Sequence, residues 1–336
     1  MNTKTLNILE LPDNPFAMRA KLFAFDADER AERTLKQFEN HRKKDKVLYA
    51  CDFMDHVFMD CIKGQLKELK RNATFPALEA NYQFDFAIKH AMTASYKASF
   101  DALRSTLEMA TLSVYFAMEK HVVDEIDWFT LPPEDIAAAF EKDAKWFKSE
   151  AITPFYSRML KTLASHPRFA DFDTKHQWFD KLKEFYHTLS DYTHIKGYRM
   201  GTQHLNNVNI HIRSSCAVNV NLTSFDLFID FLIEMVGHIG VMFSLYNPVL
   251  LAELPILEKF GMNEPIGFVY NGQSSMANQI IPNLYKDYFK QLLQTDEEVI
   301  GVTKWVNSMP DLTNEDLDRQ ADLLNRMLED FNKMNA

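Results

Sequence analysis

From Tyr82 to His121 the chain contains neither proline nor glycine, and its apolar residues recur at the three- and four-residue spacing of a helix. At 1.5 Å rise per residue, an unbroken helix of that length would reach roughly 60 Å, so this segment is the expected spine of the fold. Composition points the same way. Only 9 Gly occur in 336 residues, a scarcity of turn formers that favours long helices over many short strands. With 46% hydrophobic residues and 27 Phe the chain can bury a large apolar interior, which argues against disorder. The predicted class is all-α.

Val47, Leu48, Cys51, Met54, Val57, Phe58, Cys61 and Ile62 mark a helical stripe within one or two amphipathic helices over 26–71, and Pro76 is expected to interrupt the chain beyond them. Leu131-Pro132-Pro133-Glu134 signals a helix start, because proline is tolerated in the first turn and acids suit the dipole there. Helices are predicted over 133–147 and 149–165, the second ended by His166-Pro167. Further helices are expected over 174–195, stopped by Gly197, and over 223–246, 282–295, 296–308 and 313–333. Thr313 followed by Asp316 forms an imperfect capping box for the last. Asn271-Gly272, between Ile266–Tyr270 and Met276–Ile281, predicts a small β-hairpin near the C-terminus. No Gly/Ser-rich or Pro-rich linker divides the chain. The expected organisation is a helical core over 1–250 and a C-terminal helical extension over 251–336 packed on it.

The formal net charge of −10 opposes nonspecific attraction to nucleic-acid phosphates. The basic segments His41–Lys46 and Lys63–Arg71 read as solvated helix faces. Cys51, Cys61 and Cys216 are too few and too scattered for a disulfide framework or a zinc site, which fits a reducing cytoplasm, and the N-terminal residues show no secretory pattern. Phe225–Tyr246 is about as long as a membrane span, but Asp226, Asp230, Glu234 and His238 recur every fourth residue. Each acid would cost on the order of 2.5–3.5 kcal/mol at the bilayer centre. A buried helix with one polar face is the reading, and no membrane partner is expected.

Glu184, His187, Asp191 and His194 fall at i, i+3, i+7 and i+10, so a helix places them along one side. Glu184-Phe185-Tyr186-His187 matches the Glu-x-x-His unit of di-iron bundles, but that unit must occur on two helices and no second copy is present. No metal or cofactor is therefore expected. Asp230, Glu234 and His238 supply an opposite wall only if the two helices face each other. Arg104 and Glu108, one turn apart among Leu103, Leu107, Met109, Leu112 and Val114, read as a buried ion pair. They are expected to join His194 in one polar network, and Glu108→Ala would then cost roughly 3–5 kcal/mol. Arg104, Glu108, His187, Asp191 and His194 are the expected binding residues. No Gly-x-Ser-x-Gly elbow and no phosphate-binding glycine loop occurs.

RSTLEMATLSVYF at Arg104–Phe116 and FYHTLSDYTHIKG at Phe185–Gly197 resemble paired segments of uncharacterised bacterial helical proteins related to the HEPN superfamily, the higher-eukaryote and prokaryote nucleotide-binding helical domains. The resemblance covers about 80–200. Many HEPN members are toxin or defence ribonucleases that use an Arg, four to six residues and a His at a dimer interface. Arg199-Met-Gly-Thr-Gln-His204 fits that spacing, with Met200 where a polar residue commonly follows the Arg. The resemblance thus implies a homodimer acting on RNA, His204 as general base or acid and Arg199 stabilising the phosphorane charge. The alternative is a noncatalytic binding or scaffold protein whose acidic surface meets a protein partner.

Overall fold

The computed structural model describes residues 15–58, 71–118, 146, 149–207, 220–261 and 271–334, and every regular element among them is helical. The first described elements are α1 (Pro15–Glu39) and α2 (Lys44–Phe53), the latter continued by a π-turn at Met54–Phe58. Two long helices come next, α3 (Arg71–Met92) and α4 (Tyr96–Met118), and then α5 (Tyr156–Ala164), α6 (Pro167–His176) and α7 (Trp178–Thr193). A 3-10 turn at Tyr198–Met200 leads into the single turn α8 (Thr202–Leu205), and α9 spans Leu222–Tyr246. A second 3-10 turn, Pro248–Leu251, precedes α10 (Ile256–Phe260) and α11 (Asn271–Ile280). A third, Asn283–Tyr285, opens the closing series α12 (Lys286–Thr295), α13 (Glu297–Ser308) and α14 (Asn314–Met334).

The predicted hairpin is not formed. Asn271-Gly272 begins α11, and Ser274, Ala277 and Ile281 are buried at i, i+3 and i+7, the period of a helix and not of a strand. Its first strand, Ile266–Tyr270, lies outside the described residues, as do the helix predicted over 133–147 except for Trp146, the basic residues 63–70, and Cys61 and Cys216. The expected spine is two helices, because Ala94 adopts φ 58° and turns the chain between α3 and α4. Pro76 lies inside α3 instead of interrupting it. One missing hydrogen bond near the start of that helix is outweighed by burial of Ala73, Ala77, Ala80 and Phe84.

The described residues gather in two compact units, each assembled from separated stretches of chain. One draws on Met1–Leu48, Glu79–Met109 and Trp178–Met235. In it, Phe231 of α9 meets Phe185 and Tyr192 of α7, each with ring centroids 5.8 Å apart, so these two helices face each other. Phe100 of α4 packs on Tyr192 at 4.6 Å and on Phe231 at 5.5 Å. The basic segment after α1 is not a plain solvated face. The His41 side chain is only 7% exposed, with Nε2 3.2 Å from Asp226, while its Nδ1 accepts the Lys43 N–H, and the Lys43 ammonium pairs with Asp230. Two rungs of the acidic ladder on α9 are thereby matched by cationic or donor groups.

The other unit draws on Tyr49–Leu78, Ala110–Gln177 and Val236–Ala336. Phe172 of α6 is enclosed by His176, Tyr285, Tyr288 and Phe289. Phe58 at the end of the π-turn meets Phe243 of α9 at 4.9 Å. Gly240 lets α11 approach α9 closely: a Cβ there would stand 2.1 Å from Ile280 Cδ1. Among the described residues α9 is the one helix long and apolar enough to cross a membrane, and it is largely buried against the protein.

Candidate functional site

The segment after α7 is built from a solvent-facing turn on a buried polar anchor. Gly197, at φ 130°, stops the chain behind α7, a conformation that side chains disfavour, and Tyr198–Met200 and α8 then lie on either side of Gly201. Tyr198, Arg199 and His204 are exposed, with the Tyr198 and His204 rings 5.6 Å apart at 65°. Beneath them Leu205 and Asn206 are buried. The Asn206 amide donates to the Ala94 carbonyl at 2.6 Å, at the left-handed corner between α3 and α4. The Leu205 carbonyl accepts from the Asn221 amide at 2.8 Å and the Ser224 hydroxyl at 2.6 Å. The Asn221 N–H is held in turn by the Tyr96 hydroxyl at 3.2 Å. Burial pushes the Tyr96 phenol up to about 12, so it stays neutral.

The polar stripe of α7 lies on the solvent side of the helix. Trp178, Phe179, Leu182, Phe185 and Leu189 form the buried side, while Glu184 and His187 lie exposed on the outer surface. Asp191 takes Lys196 at 3.1 Å, and His194 is exposed beyond the end of the helix. Across from α7, burial and then the charges of Asp230 and Glu184 push the Glu234 carboxyl up. Burial is the larger cause and repulsion among the acids the smaller. His238 is buried. Among the described residues no group of three or more His, Cys, Asp or Glu side chains is placed to hold a metal ion.

Arg104 does sit in a polar network, but with partners other than His194. Its Nε donates to Ser190 Oγ at 3.1 Å and its Nη2 to the Tyr186 hydroxyl at 2.6 Å, and the guanidinium stands 5.0 Å from the Tyr186 ring centroid. Glu108 Oε2 lies 3.4 Å from Nη2. Burial first, and the Glu108 charge after it, push the Tyr186 phenol up. Sequence reasoning missed Tyr186 and Ser190 because it weighed only the carboxylates and imidazoles of α7. Both lie within one turn of His187 and His194, so a search for any donor or acceptor on the α4 side would have found them.

The Arg104 and Glu108 side chains are 23% and 22% exposed, so the pair is partly solvated. Glu108→Ala is therefore expected to lower the unfolding free energy by about 0.5–1.5 kcal/mol, since water reaches Arg104 and Tyr186 and Ser190 still hold it. Glu108→Gln should cost less still. Urea unfolding of the two variants checks this; a loss near 4 kcal/mol for Glu108→Ala would restore the sealed pair.

Geometry and composition together define a mainly helical protein carrying an exposed Tyr-Arg-His turn on a buried anchor. No family model matches the chain, and neither a curated protein nor a solved structure matches it.

Proposed function

We propose that this chain is a HEPN-like ribonuclease whose site is the Tyr198–Leu205 turn, acting as a homodimer on RNA. The observation that carries the reading is the contrast within that turn: Arg199 and His204 are exposed, while Asn206, Asn221 and Ser224 hold the backbone beneath them from buried or half-buried positions. Catalysis needs side chains presented on a fixed backbone, and these bonds supply one. His194 is exposed just before the turn and adds a donor there, while Lys196 is shared with Asp191.

In this mechanism the His204 imidazole accepts the proton of a ribose 2′-hydroxyl as that oxygen attacks the neighbouring phosphorus. The P–O5′ bond then breaks, and the leaving oxygen takes the proton back from the imidazolium. The products are a 2′,3′-cyclic phosphate and a 5′-hydroxyl. Arg199 pairs with the nonbridging oxygens, whose charge is greatest in the phosphorane.

Incubation with total RNA tests the proposal. The wild-type protein should produce fragments ending in cyclic phosphate, and His204→Ala should slow cleavage by about 10²-fold or more, the scale of general acid–base catalysis. The variant's melting temperature should match wild type, because the side chain is exposed. Undiminished cleavage by His204→Ala would exclude this role. A second reading, a noncatalytic turn that docks a protein partner, is favoured by Ile195 and Tyr198, which are 49% and 58% exposed. Intact RNA together with saturable binding of a polypeptide at this turn would select it.

A further inference from the structure

We infer that Tyr198 is a base-stacking residue, so that the ligand of the turn is single-stranded RNA with an unpaired base laid on the phenol ring; this rests on the reading of the turn as an RNA site. Among the described residues the ring's one aromatic contact is His204, and at 5.6 Å and 65° the two rings are not stacked. More than half of the residue, 58%, is exposed to solvent. The phenol is too exposed to contribute much to the core, and its neighbour in sequence, Arg199, is an exposed cation.

An aromatic face beside a guanidinium is the combination that holds single strands: any base has a π-face to stack, and the cation meets the phosphate next to it. A duplex hides its bases and offers this turn only its backbone. Arg199 is the next residue and the His204 ring lies 5.6 Å from the Tyr198 ring, so a base on Tyr198 would bring its strand to both. Stacking thus sets which phosphate is presented for cleavage. Tyr198 is accordingly a binding and register-setting residue, and the imidazole remains the proton carrier.

The probe is a single-stranded oligonucleotide with 2′-O-methyl riboses, which cannot be cleaved, monitored by fluorescence anisotropy at fixed salt. Tyr198→Ala should weaken binding about tenfold or more, and Tyr198→Phe, which keeps the ring, should stay within about twofold of wild type. Tyr198→Trp should bind at least as well, its emission quenched by the oligonucleotide and not by inorganic phosphate. A blunt duplex of the same sequence should bind weakly to all four proteins. Equal affinity of wild type and Tyr198→Ala, or equal affinity for strand and duplex, overturns the stacking role while leaving the RNA site intact. Wild-type protein that binds neither strand nor duplex removes the RNA reading, and the stacking role with it.

Discussion

Arg168→Ala is expected to lower the unfolding free energy by about 3 kcal/mol and, at the same time, to flatten its dependence on pH. The guanidinium joins the start of α6 to two other elements. It holds Asp296 bidentately, Nε to Oδ2 at 2.7 Å and Nη2 to Oδ1 at 3.0 Å, and it donates to Glu298 at 2.6 Å and to the Tyr246 carbonyl at 3.2 Å. Asp296 is also the N-cap of α13, accepting the N–H groups of Glu298 and Val299. Removal of Arg168 would strand a carboxylate whose side chain is only 10% exposed. Glu298, half exposed, would be rehydrated, which keeps the loss near the lower end of the 3–5 kcal/mol typical of a broken buried pair.

The pH signature separates this from ordinary loss of packing. Burial alone would raise the Asp296 carboxyl; the hydrogen bonds and charge of Arg168, with two backbone N–H groups, outweigh it and hold it below the usual carboxylate range. Burial, and then the Arg168 charge, lower His166 from 6.5. Both groups bind fewer protons folded than unfolded, so their stabilisation is present above their unfolded pKa values and is lost as pH falls. His166 contributes to the decline from about 6.5 downward and Asp296 to the decline below ordinary carboxylate values. Urea unfolding of wild type and Arg168→Ala at several pH values from neutral down to about 3 checks both parts. Parallel pH curves for the two proteins would show that Arg168 does not set these protonation equilibria.

Phe172→Ala should be comparably damaging, at about 3–5 kcal/mol. The side chain is fully buried, with Tyr288 at 4.8 Å, Tyr285 at 5.0 Å and Phe289 at 5.7 Å between ring centroids. The cage is itself fixed from outside, since the Tyr288 hydroxyl donates to Asp171 at 2.9 Å and Lys175 stands 5.0 Å from the Tyr288 ring centroid. Those neighbours resist collapse into the vacated volume, so the cavity term should persist. Phe172→Leu keeps most of the volume and forfeits the edge-to-face contacts, for a loss of about 1–2 kcal/mol. Differential scanning calorimetry should rank wild type above Phe172→Leu and that above Phe172→Ala; a tie between leucine and alanine would deny the ring its part.

Local chemistry was legible in the sequence where it acts over a few residues. Thr313 and Asp316 exchange the two capping-box bonds, Asp316 N–H to Thr313 Oγ1 at 3.2 Å and Thr313 N–H to Asp316 Oδ2 at 3.1 Å. Pro167 begins α6 immediately after the end of the preceding helical segment. What stayed hidden was set by distant partners. The corner at Thr93-Ala94-Ser95 has no breaker residue, and its carbonyls are gripped by Arg30 from α1 and by Asn206, far along the chain in both directions. Asn271-Gly272 carries a strong hairpin signal, yet the buried period of the residues after it outvotes the dipeptide. In the candidate site, Arg199 and His204 were singled out by the spacing that the resemblance implies. Asn206 and Ser224 were not, since only the folded backbone reveals that both serve the same surface turn.

That division of labour between display and anchor makes the turn exchangeable. Asn206, Asn221 and Ser224 bind backbone carbonyls, which every sequence possesses, so the side chains at 198, 199 and 204 can be rewritten without disturbing what fastens the loop. New specificities can arise there at little cost in folding, whereas each anchor residue is tied to one geometry. Selection acting on this protein thus has an adjustable surface mounted on a fixed fitting, and a change of ligand need not begin with a change of fold.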